Sequence, residues 1–158
     1  MRQELEQKLA DEFEFMRPRQ DTNKTSYIDD LYKVFGCECG DGWFRLLWAL
    51  CGEIRELYDR YPGAPKLIIE QVKEKYAQLH FYYSLDYGSD DPGVRESCDG
   101  IEQFSDEIYD TVFKYEEMST TVCELCGSEG KVRANRSWIT TLCDECAVGG
   151  KDASGGSL

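Results

Sequence analysis

Two Cys-x-x-Cys pairs, Cys123-Glu-Leu-Cys126 and Cys143-Asp-Glu-Cys146, constrain this chain more than any other feature. Sixteen residues separate the pairs, a spacing at which four thiolates close tetrahedrally on one zinc ion. A two-residue spacer lets the chain curl so that both sulfurs of a pair reach the same ion. Gly127, directly after Cys126, suits the positive φ that so tight a turn requires. Residues 131–134 and 138–142 read as short strands around Asn135-Arg136-Ser137. The expected module, 123–146, is a zinc ribbon or treble-clef-like fold around one structural Zn2+ held by Cys123, Cys126, Cys143 and Cys146.

Three rival uses of the same cysteines fit less well. Disulfides belong to oxidising compartments, and with no signal peptide in view a reducing cytoplasm is expected. A redox Cys-x-x-Cys opens a helix in a βαβ context, which is missing. Catalytic zinc keeps an open coordination position, which four thiolates close.

Charge bears on partners. The chain carries 31 acidic and 18 basic side chains, a formal net charge of −13. Residues 123–146 hold three basic and four acidic side chains, so residues 1–122 account for −12 of the total. Such a field repels phosphates, and direct nucleic-acid binding is disfavoured although Lys131, Arg133 and Arg136 lie in the hairpin. A basic protein partner is the better match. No apolar run approaches the 18–20 residues that span a bilayer, so no membrane partner is expected.

The remainder reads as α+β: a mainly helical, acidic domain over 1–122 with a small antiparallel hairpin, then the zinc module, then a flexible glycine-rich tail over 147–158. Leu5, Leu9, Phe13 and Met16 predict an amphipathic helix over 2–16. Ser26 is placed to cap a second helix that Gly36 stops, and Asp41 a third, with Trp43, Leu47, Leu50, Ile54, Leu57 and Tyr61 on one face. Residues 66–79 fit helix or strand; two antiparallel strands over 66–85 turning near Ala77-Gln78 are favoured. A last helix is expected from about Asp99 to Met118.

Each remaining candidate for function has a plainer rival. Cys37, Cys39, Cys51 and Cys98 could form a second metal site, but buried inert thiols are the default. His80 is the sole histidine and lies among strand aromatics, which is poor support for a catalytic base. Pairs such as Glu53/Glu56 and Glu116/Glu117 arise by chance in so acidic a chain. No phosphate-cradling glycine loop or nucleophile elbow is present, so no catalytic residue is assigned and no enzyme is expected. If the chain has a recognition surface, Trp43, Lys73, Lys75, Tyr76, His80, Tyr82 and Tyr87 are its candidates, since Tyr and Trp dominate interface energies.

Several strings occur in order: Glu38-Cys-Gly-Asp-Gly-Trp-Phe44, Gln71-Val-Lys-Glu-Lys-Tyr76, Leu79-His-Phe-Tyr-Tyr83, and the two cysteine pairs. Together they resemble a family of small uncharacterised proteins of bacteriophages and bacterial genomes, over roughly residues 35–146. Many members of that family carry a glycine pair where this chain has Ala77-Gln78, and often a histidine in place of Cys146. The resemblance implies a protein of the host-cell cytoplasm that inhibits or modulates a host protein, as in counter-defence. Two alternatives are a binder that sequesters a nucleotide-like small molecule, with Lys73, Lys75 or Arg95 meeting phosphate, and a zinc-dependent nucleic-acid-associated factor.

Overall fold

The computed structural model describes residues 1–19, 31–88, 100–134 and 138–149. Helix α1 (Gln3–Glu12) buries Leu9 and Ala10, and a 3₁₀ turn (Glu14–Met16) follows and buries Met16. Helix α2 (Leu31–Phe35) ends at Gly36, where φ is +60°; a Cβ there would lie 2.5 Å from a carboxylate oxygen of Glu6. Its expected cap, Ser26, lies outside the described residues. Strand β1 (Cys37–Glu38) leads to a 3₁₀ turn (Asp41–Trp43) and helix α3 (Phe44–Arg60). Leu46, Leu47, Leu50, Cys51, Ile54 and Leu57 form the buried face of α3.

Asp41 does not cap α3. Its carboxylate accepts hydrogen bonds from the backbone N–H and the guanidinium of Arg2, and no side chain caps either the 3₁₀ turn or the helix. The 3₁₀ turn feeds straight into α3, so the orphan amides that a cap would serve lie further upstream.

Residues 66–79, which fit two periodicities in sequence, are strand on either side of a two-residue turn. β2 (Lys66–Lys75) pairs antiparallel with β3 (Gln78–Asp86) and parallel with β1, giving the order β1-β2-β3. The register slips between Ile69 and Gln71, leaving Glu70 as an extra residue in a β-bulge. The bulge puts Leu67 and Ile69 before it, and Val72 after it, on one face despite their mixed parity. That broken alternation is what resembled a helical pattern. The turn centres on Tyr76 and Ala77, at φ +56° and +67°, the double left-handed form of a two-residue hairpin loop.

Helix α4 (Ile101–Ser119) lays Phe104, Ile108, Val112 and Tyr115 into the same core as α3 and the inner sheet face. It also shields the free edge of β3. The Leu79 N–H donates to Ser119 Oγ and the Phe81 N–H to a Glu116 carboxylate oxygen, each at 2.8 Å. Edge amides satisfied in this way cannot pair with a foreign strand. Strands β4 (Lys131–Arg133) and β5 (Thr140–Leu142) form a second, two-stranded sheet, and helix α5 (Asp144–Val148) ends the described chain. Trp138 and Ile139, expected within the second strand of this hairpin, precede β5. The molecule is thus mixed α and β, and none of its described helices is long and apolar enough to cross a membrane.

Candidate metal centre

The four cysteines converge. The sulfurs of Cys123, Cys126, Cys143 and Cys146 all lie within 4.8 Å of one another, the one such group of potential ligands among the described residues. Cys126 and Cys143 are 3.7 Å apart, far beyond the ~2.05 Å of a disulfide, and all four thiols are free. Cys123 is fully buried, Cys143 and Cys146 half-buried, and Cys126 exposed.

Each pair is shaped by its own backbone. The Gly127 N–H donates to the Cys123 carbonyl at 2.8 Å, and Gly127 takes φ +78° as the turn closes. In the second pair, Cys143 caps α5, its sulfur accepting from the Cys146 N–H at 3.3 Å. One turn of helix therefore presents both sulfurs on one side. The two pairs are joined through β5, since the Glu124 N–H donates to the Thr141 carbonyl at 2.9 Å.

The thiols sense one another. Hydrogen bonds from the Ser128 hydroxyl and backbone N–H pull the Cys126 thiol down to about 6. The hydrogen bond with Cys143, together with burial, pushes the Cys146 thiol upward. Four sulfurs this close cannot all ionise alone, whereas a bound dication would favour the thiolate at every position.

The centre is seated on the glycine-rich string that sequence reading singled out without assigning it a task. The Gly40 N–H donates to the Glu124 carboxylate at 2.9 Å and the Gly42 N–H to the Glu124 carbonyl at 2.8 Å. A Cβ on Gly42 would lie 2.2 Å from the Cys123 carbonyl oxygen, and one on Gly40 2.2 Å from that of Glu124. Only glycine lets these two backbones meet. Glu124 is 4% exposed, and burial raises its carboxyl pKa against the opposing pull of the Gly40 N–H. Trp43, expected at a recognition surface, is instead fully buried, its indole N–H donating to the Val122 carbonyl at 2.8 Å. It is a packing group that ties the start of α3 to the chain entering the centre.

On the opposite side the β2–β3 turn docks onto the same module. Thr141 Oγ1 donates to the Ala77 carbonyl at 2.7 Å, and the Trp138 indole N–H to Glu74 Oε2 at 3.2 Å. The other surface candidates divide. Lys73, His80 and Tyr82 share the outer sheet face, with the His80 and Tyr82 rings parallel to within 15° and the Lys73 ammonium 5.3 Å from the Tyr82 centroid. Lys75 and Tyr76 project at the turn, the ammonium 5.3 Å from the ring. Tyr87, beyond β3, is half-buried.

Cys37, Cys39 and Cys51 are buried without forming a metal-sized group among the described residues, and Cys98 lies outside them. Burial pushes the Cys37 thiol up to about 12. Three of the four members of the acidic pairs Glu53/Glu56 and Glu116/Glu117 have structural partners: Glu53 binds Lys114 and Tyr115, Glu116 holds a strand amide, and Glu117 accepts from Gln78. Lys131 and Arg133 both pair with Asp144, whose single carboxylate offsets part of the hairpin's positive charge. No family model, curated protein or solved structure matches this chain.

Proposed function

We propose that this chain is a non-enzymatic binding protein stapled by one structural zinc ion, and that it engages a partner protein through the surface the staple assembles. Tetrahedral Zn–S bonds near ~2.3 Å set sulfurs about 3.8 Å apart, and the 3.7 Å between Cys126 and Cys143 agrees with that spacing. An all-thiolate set suits zinc over harder ions and leaves no open position for a substrate. The knuckle, hairpin and short helix in sequence follow a treble-clef-like order.

The observation that carries the binding reading is the apolar surface around the docked turn. Tyr76 is 74% and Trp138 67% exposed, with Ile139 and Val132 also open to solvent. Clustered exposed aromatics on a soluble surface mark interaction sites. The net charge of −13 favours a partner with a basic face, and the phage resemblance points to a host protein. The same acidic excess, with the hairpin's Lys131 and Arg133 already engaged by Asp144, argues against nucleic acid as that partner.

Affinity capture from bacterial lysate with the full chain and with a Tyr76→Ser/Trp138→Ser variant tests this reading. A stoichiometric protein held by the wild type and lost with the variant is expected. Capture that is absent, or indifferent to both substitutions, overturns it. Optical spectra of the cobalt-substituted protein test the zinc assignment separately, with tetrahedral all-sulfur bands expected.

A further inference from the structure

Six basic side chains among the described residues are held in ion pairs. Arg2, Arg55, Arg60, Lys114, Lys131 and Arg133 each pair with a carboxylate. Four of the others gather in one place. A cavity of about 220 Å³ lies between the 3₁₀ turn after α1, helix α2 and the first residues of β2. Arg17, Arg19, Lys33 and Lys66 line it against a single acid, Glu14. None of these four cations forms an ion pair among the described residues; the Arg17 Nε donates to the Ala10 carbonyl, which leaves its terminal nitrogens uncommitted.

We propose that this cleft binds a small phosphate-bearing molecule, with Arg17, Arg19, Lys33 and Lys66 receiving the phosphate dianion. The charge fits: four cations and one carboxylate leave an excess of three positive charges for a dianion. A concave site concentrates such a field far more than a flat one. Arginine offers paired donors matched to phosphate oxygens, and lysine adds mobile point charges. Phe15 and Ile68 provide an apolar wall for the body of the ligand. The volume sits below the ~300 Å³ at which drug-sized pockets begin, which suits inorganic phosphate or a sugar phosphate. Nucleic acid duplexes are too large to enter.

The cleft shares no lining residue with the cysteine centre or with the Tyr76–Trp138 surface, so the site stands apart from the reading above. It also differs from the sequence expectation that Lys73, Lys75 or Arg95 would meet phosphate. Lys73 and Lys75 lie over tyrosine rings, and Arg95 is outside the described residues.

Nuclear magnetic resonance titration of the full, metal-loaded chain would decide the matter, using inorganic phosphate, ribose 5-phosphate and, as a control, ribose with chloride at matched ionic strength. Saturable shifts confined to residues 14–19, 31–33 and 66–69 are expected with both phosphates and not with the control. Lys33→Gln and Lys66→Gln replace exposed side chains and leave the core intact; each is expected to weaken binding about tenfold, a change of one charged contact. Lys75→Gln should leave it unchanged. Absence of saturation up to about 10 mM, well above a millimolar Kd, overturns the proposal. So do equal shifts with chloride, or shifts unaffected by Lys33→Gln and Lys66→Gln.

Discussion

Gly42 and Ala77 show how single backbone positions govern this molecule in opposite directions. Gly42 lies against the Cys123 carbonyl, and a methyl group there would have to displace backbone on both sides. Gly42→Ala should cost about 1–3 kcal/mol, the usual range for overpacking, measured by denaturant unfolding of the metal-loaded chain. The same variant should lose its metal to a competing chelator sooner, because the first knuckle must shift with the strained contact. Ala77 presents the converse case. It holds φ +67° with a Cβ, a conformation that costs L-residues roughly 1–2 kcal/mol. Its N–H donates to Glu74 Oε1 and its carbonyl accepts from Thr141, so the surroundings hold the turn in place. Ala77→Gly relieves about 1–2 kcal/mol of strain but loses about 0.8 kcal/mol of buried methyl, so it should stabilise the protein by a few tenths of a kcal/mol and by no more than about 1 kcal/mol. A lower unfolding midpoint in that variant would show that packing of the methyl outweighs the dihedral strain.

Between elements, Glu53 adds a polar tie to the apolar α3–α4 contact. It accepts from the Lys114 ammonium and from the Tyr115 hydroxyl. Burial pushes the Glu53 pKa upward, but the hydrogen bonds from Lys114 and Tyr115 and the lysine charge together hold it below the usual carboxylate range. A carboxylate lowered in the folded state adds stability above its unfolded pKa, near ~4.3, and that stability is lost as pH falls through the folded value. The gap in stability between wild type and Glu53→Gln should thus be full at neutral pH and shrink below about pH 4. Urea melts at several pH values would measure it, and a gap that widened on acidification would reverse the assigned sign. The β3 edge offers a second test at this scale. Leu79 and Phe81 amides lose their acceptors in a Glu116→Ala/Ser119→Ala variant, each at a cost of about 1–3 kcal/mol. Light scattering should then report self-association through the freed edge, to a greater extent than in the wild type.

At the scale of the whole molecule, the cysteine centre is a joint between parts distant in sequence. The first knuckle rests on Gly40–Trp43 and the second pair is tied through β5 to the β2–β3 turn. A structural zinc site supplies on the order of 10–16 kcal/mol of apparent binding free energy, and here that energy would be coupled to the core through these contacts. Metal removal by chelation should consequently lower hydrogen-exchange protection in residues 40–43 and 76–79 as well as in 123–146. Loss confined to the cysteine segment would show that the core holds its shape independently.

The clustering of the four cysteines was legible in the sequence because Cys-x-x-Cys spacing is a local geometric rule, satisfied within one turn of chain. Helices α1, α3 and α4 were legible for a similar reason, since each has one face repeating at the helical period. The β2–β3 hairpin was only half legible. The bulge at Glu70 shifts the alternation, and a turn built without glycine lacks the usual signal. Strand β1 spans two residues and exists only because β2 lies beside it. Tertiary structure alone decided that Trp43 is a core residue, that Gly40 and Gly42 cradle the cysteine knuckle, and that Arg17, Arg19, Lys33 and Lys66 line one cleft. The physical difference is one of range: spacing and periodicity act within a turn or two of chain, whereas burial, close backbone approach and convergent charge depend on segments that meet only after folding.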